Sequence, residues 1–227
     1  MIARVGIAAS ALVIAFLAGG NVARAADECK GLQTCLPVPG PWVAIPASTA
    51  GAASTVSWQL RCPLRGYIVA GIDARVSDRA IDISIRGENG APVSPGVTTS
   101  RPTSFRPFIG CIPTSGGGGR GETAFRRPAA FVPTRALDRR VVQKRLVSGA
   151  TVRVVGGCPA GTRLLGSSHA YAFGTETEPG LTLLRAVTVR RVVTGRRVVA
   201  TATVAPSVPP RVPVALQLHS LCSKGTR

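Results

Sequence analysis

Six cysteines constrain this chain more than any other feature, because all six lie beyond an apolar N-terminal stretch. They are Cys29, Cys35, Cys62, Cys111, Cys158 and Cys222. The stretch before them has the anatomy of a secretory signal. Arg4 supplies a positive start, Val5 to Ala18 is continuously apolar apart from Gly6 and Ser10, and Ala23-Arg24-Ala25 is a small-residue cleavage site. The apolar run is short for a membrane span, which needs about 20 residues. No Cys follows it to carry a lipid, and no Arg-Arg pair precedes it to mark twin-arginine export. The expected product is a secreted or periplasmic chain starting at Ala26, with no membrane span after signal removal.

In such a compartment an even cysteine count reads as disulfides. Zinc would want paired ligands two to four residues apart. Only Cys29 and Cys35 are near one another, with five residues between them, so no metal and no cofactor is expected.

A repeat suggests how the cysteines pair. Val56-x-Trp58-x3-Cys62-Pro63-x4-Ile68-Val69 resembles Val152-x-Val154-x3-Cys158-Pro159-x4-Leu164-Leu165. In both, apolar residues alternate towards a Cys-Pro, and alternation with period two is the strand signal. Proline there fixes φ and removes a donor, so each Cys-Pro marks a strand end. One further cysteine follows each copy. The expected bridges are therefore Cys62–Cys111, Cys158–Cys222 and Cys29–Cys35. The two long loops, of 49 and 64 residues, would each stabilise the fold by about 4 kcal/mol in the chain-entropy model.

The fold class that follows is all-β: two related, disulfide-closed antiparallel β-units, sandwich-like, in tandem. Residues 1–25 are the signal and 26–54 a Pro/Ala-rich arm. Residues 55–111 form the first β-unit, 112–149 a Gly/Arg-rich linker, and 150–227 the second β-unit. Pro37, Pro39, Pro41 and Pro46 argue against a helix or a central strand in the arm, and leave room for a polyproline segment. Strands are expected over 55–61, 66–72 and 81–86, with a turn at Asn89-Gly90 and an edge strand over 100–111. Gly116 to Gly119 form a flexible link. A short helical turn is weakly supported over 141–147. Strands are expected again over 150–155, 163–173, 181–193, 196–204 and 213–221.

The chain carries 28 basic and 10 acidic side chains, a net charge of +18. The excess is uneven: residues 26–111 hold 8 basic and 6 acidic groups, residues 151–227 hold 10 and 2. The densest cluster is Arg190-Arg191 and Arg196-Arg197. A two-residue turn at Thr194-Gly195 would set Arg191 opposite Val198 and Arg190 opposite Val199, crowding four guanidinium groups at one hairpin tip. Planar guanidinium forks suit phosphate, sulfate and carboxylate, so these four arginines are the candidate anion-binding site. Two plainer explanations stand beside this one. Charged edge strands resist sheet-to-sheet aggregation, and 25 Arg against 3 Lys matches a GC-rich coding bias.

Other chemistry has weaker support. Ser168 and His169 are adjacent, whereas a nucleophile needs its base across the fold. His219 alternates with Gln217 away from Val214, Leu216 and Leu218, which reads as a solvated face. Asp73, Asp78 and Asp82 lack the spacing of a calcium loop. Glu176 or Glu178 with Asp82 as a glycosidase pair has nothing to fix its separation. The ten aromatics do not interleave with the hairpin arginines, which argues against nucleic acid as partner. The function expected is a non-catalytic binding or structural one, directed at an anionic envelope or extracellular polymer or at an extracellular protein. A hydrolase with an unrecognised site and a disulfide-stapled inhibitor are the alternatives.

Overall fold

A computed structural model describes residues 29–30, 32, 34–47, 54–76, 83–86, 92–97, 99–114 and 137–224. The signal, the Asn89-Gly90 turn, the glycine link, Asp78 and Asp82 lie outside these residues.

The chain is all-β with antiparallel sheets. In order, the strands are β1 (Leu36–Pro39), β2 (Trp42–Ile45), β3 (Ser54–Thr55), β4 (Trp58–Gln59), β5 (Tyr67–Val76), β6 (Ile83–Arg86), β7 (Pro92–Val97), β8 (Thr103–Pro113), β9 (Leu137–Leu146), β10 (Thr151–Gly157), β11 (Thr162–Phe173), β12 (Val187–Thr194), β13 (Arg197–Val204) and β14 (Val214–Lys224). One helical turn, α1 (Leu181–Leu184), interrupts them. All three expected disulfides are present, with Cα–Cα separations of 5.6 Å for Cys29–Cys35, 5.8 Å for Cys62–Cys111 and 5.7 Å for Cys158–Cys222.

Both halves of the chain build one seven-stranded sheet. Strand β8 carries β5 along one edge, and β1 and β2 end to end along the other. Strand β2 then pairs with β11, β11 with β14, and β14 with β9. A three-stranded sheet, β10-β13-β12, covers one face. Leu216, Leu218, Val214 and Phe173 of the large sheet meet Val154, Val198, Ala200 and Ala202 there, all buried. The other face of the large sheet presents Val43, Ile45, Phe105, Ile109, Ala170 and Ala172, packed with Val56 and Trp58. Strand β4, which carries Trp58, belongs to the small sheet of β3, β4, β6 and β7.

The two Cys-Pro stretches adopt matching corners. Each is a strand, Cys-Pro, a turn ending on a glycine with positive φ (Gly66 at 78°, Gly161 at 77°), then a long strand. Each long strand slips register just past the residue opposite the bridged cysteine, after Val69↔Cys111 and after Leu164↔Cys222. Such a bulge bends the strand.

Several expectations need correction. Of the stretch 141–147, residues 141–146 belong to β9, as their β-branched residues favour, so the segment read as a linker supplies a strand of the main sheet. Strand β2 is fully buried between two prolines, because Pro41 and Pro46 flank it without occupying its ladder. Strand β8 is interior and not an edge. The start of the run 181–193 is helical.

His219 and Gln217 are also not on a solvated face: they are 1 % and 2 % exposed. Strand β14 is covered on both sides; the Gln217 amide on its polar side is satisfied by pairing, whereas the buried His219 Nδ1 has no hydrogen-bond partner among the described residues. The Gln217 amide behaves like a piece of backbone. Its Oε1 accepts from Gln59 N–H (2.8 Å), and its Nε2 donates to Gln59 C=O (2.9 Å) and to Gln143 Oε1 (2.9 Å). The His219 Nε2 lies 3.1 Å from Gln217 Oε1. These bonds join the covering strand β4 to the large sheet, and losing one partner would strand buried backbone groups.

Burial, and secondarily the Arg139 charge, push the His219 imidazole down to about 4. The fold holds it neutral, while the unfolded chain takes up the proton near the ordinary value of 6.5. Its contribution is therefore complete above about pH 6.5 and is lost as the pH falls towards 4, up to about 3 kcal/mol. Urea midpoints measured from pH 7 to pH 4 should fall steeply in the native protein and less steeply in His219→Gln. An equal slope in the variant would contradict this account.

Candidate anion-binding cleft

The hairpin of β12 and β13 turns at Gly195 and Arg196, one residue later than expected. Thr194 pairs with Arg197 and Val193 with Val198. Gly195 takes φ 57° at the first central position, where the branched Thr194 would be strained. The shift moves Arg190 and Arg191 one residue further from the turn than expected. Arg191 lies opposite Ala200 and Arg190 opposite Thr201, three and four residues from the end of the ladder, or about 10 and 13 Å along the strand. Arg191 shares the inward face with buried Ala200 and acts on His169, whereas Arg190 is on the other face. Arg196 and Arg197 sit at the turn, with Arg190 and Arg191 set back along β12.

Arg196 and Arg197 meet arginines from elsewhere in the chain. Strands β9 and β10 are joined by the turn at Ser148-Gly149 and separate beyond it. Between the first half of β9 and the end of β10 lies an open cleft of about 820 Å³. Arg139 and Arg140 line it from β9, Arg196 and Arg197 from the hairpin, and Arg61 from the approach to Cys62. Val155, Gly156, Gly157 and the Cys158-Pro159 corner complete the wall. Among the described residues the one carboxylate in the lining is Asp138, bonded to Arg140 at 3.1 Å. That pair is exposed and weak, so the cleft stays strongly positive.

The hairpin tip is fixed in place. Cys158 N–H donates to Arg196 C=O (2.9 Å), and Arg196 Nη1 donates to Pro159 C=O (2.9 Å). The Cys158–Cys222 bridge ties this corner to β14. Gly157, at φ 140°, allows the close approach, since a Cβ there would collide with the Arg196 carbonyl oxygen. A positioned group of arginine donors of this kind can bind phosphate, sulfate or carboxylate.

A second cavity of about 690 Å³ adjoins the first on the β4 side of the large sheet. Arg61 and Val141 line both. Its wall is mostly apolar, with Pro41, Leu60, Pro213, Val214 and Ala215, and with Gln143, Gln217 and Arg145 beside them.

Neither histidine lines either cavity. His169 is half-buried, and burial, then the Arg191 charge, hold its imidazole below the ordinary range. Asp73 Oδ1 accepts from Ala74 N–H (2.7 Å), and the Glu176 carbonyl accepts from Arg106. Arg139 and Arg140 fall in the stretch expected to be a Gly/Arg-rich linker, and nothing in the sequence pointed to their convergence with Arg61 and the hairpin. No local pattern encodes that meeting, which depends on strands far apart in the chain.

No protein family matches the chain, and no curated protein is similar to it in sequence.

Gly157→Ala should lower stability by about 1–3 kcal/mol in urea denaturation, since that φ suits only glycine and the Arg196 backbone must move. Gly161→Ala, with φ 77° and open space around it, should cost clearly less. Equal losses would show that Gly157 does not hold the hairpin tip in the cleft wall.

Proposed function

We propose that this is an exported, non-catalytic binding protein whose ligand is anionic and is held in the arginine cleft. The observation that carries the reading is that, among the described residues, five arginines and one carboxylate line a single opening. Three separate parts of the chain supply them, and a tethered hairpin and a disulfide fix the geometry. Export rests on the signal-like residues 1–25 and fits the three disulfides. Among the described residues no helix is long and apolar enough to cross a membrane. The matching Cys-Pro corners support reading the chain as two related units that share one sheet. Extracellular and envelope polymers bearing carboxylate, phosphate or sulfate are the ligand class this chemistry fits, and Arg190 and Arg191 serve as solubilising charges on the edge strand β12.

The test is retention of the oxidised protein on envelope fractions of the producing organism at low and high salt. Retention should fall as salt rises. It should be lost when Arg61, Arg196 and Arg197 are changed to Gln, and kept when Arg190 and Arg191 are changed to Gln. Loss in the second variant with retention in the first would return the site to the outer edge of the hairpin. Salt-insensitive retention would remove the anionic ligand altogether.

A further inference from the structure

We infer that the anionic ligand of the cleft is an extended acidic polypeptide, added as a strand along the open edge of β9. This rests on the anion-binding reading above and narrows it to one chemical class.

Strand β9 ends the large sheet: among the described residues it pairs with β14 only. Strand β10 likewise ends its own sheet and pairs with β13 only. The two edges face each other across the basic cleft, too far apart at that end to pair with one another, with about 820 Å³ between them. An edge strand carries backbone donors and acceptors pointing away from its sheet, and these take up an added strand in register.

The placement of the two cavities supplies the specificity. By the period-two alternation of β9, Asp138, Arg140 and Val142 share the face of the basic cleft, while Val141, Gln143 and Arg145 share the face of the neighbouring groove with Arg139, and Arg139 and Val141 also border the cleft. A strand laid along β9 projects alternate side chains to opposite faces. One set enters the arginine cleft and the other meets the apolar groove. The matching ligand alternates acidic with apolar side chains. Charge complementarity excludes a basic strand, and Arg139, Arg140 and Arg145 on β9 itself repel a second copy of β9.

A polysaccharide or polyphosphate would satisfy the arginines but not the strand edge, and the experiment separates the two. Binding of the full oxidised mature protein is measured against a short peptide alternating Glu and Val. The same peptide with N-methyl groups on alternate backbone nitrogens, and dextran sulfate, are run beside it. The expected result is that the plain peptide binds and that N-methylation weakens it about tenfold, the loss of roughly two backbone hydrogen bonds. Changing Arg196 and Arg197 to Gln should weaken it further. In the bound state, backbone amides of residues 138–142 should gain protection from hydrogen exchange. If dextran sulfate binds and N-methylation has no effect, strand addition is wrong and the anion-binding reading stands. If neither probe binds at low salt, both are wrong.

Discussion

Strand β14 has no solvated face over most of its length. Leu216 and Leu218 point into the core under the three-stranded sheet, and Gln217 and His219 point into the layer above it. Each leucine contributes about 1.5–3 kcal/mol by leaving water. The opposite side could not be covered so simply, because it carries two polar groups. It is buried only because Gln217 pairs with the Gln59 backbone and takes Gln143 with it. Two-sided burial of this strand forces three layers where a two-layered sandwich would otherwise suffice, and each half of the chain supplies part of the shared central sheet.

The clefts follow from how those layers end. Strand β9 closes the large sheet and β10 opens the three-stranded one, so the chain passes between layers at the Ser148-Gly149 turn. Beyond that turn the two strands separate, and the Cys158–Cys222 bridge fixes the far end of the opening. Close contact between Gly157 and the hairpin turn brings Arg196 and Arg197 to the same place. Arg61 arrives from the first half of the chain, just before the other Cys-Pro corner. The positive field is thus a product of tertiary packing and is not encoded by any single basic run.

What could be read in advance divides along that line. Alternation and the cysteine spacing revealed most strands of the second half, several of the first, and all three bridges, because both are local or pairwise properties. The hairpin register was missed by one residue because Gly195, and not Thr194, takes the first turn position. That slip sets Arg190 and Arg191 one residue further from the turn. Gln217 and His219 looked solvated because polar alternation on a strand normally marks the wet face, and only the docking of β4 overturns it. The prolines around Trp42–Ile45 hid a central strand, since four residues between two breakers leave almost no pattern to detect.

Two-sided burial of β14, inside a sheet shared by both halves, is the claim on which the rest stands. Native-state hydrogen exchange on the oxidised protein tests it most directly. Amides of β14 and β11 should exchange only through global unfolding, with the same free energy as those of β8 in the first half. Exchange of β8 and β14 at clearly different free energies, each falling separately with denaturant, would mean that the halves open independently and that the shared sheet does not hold the protein together.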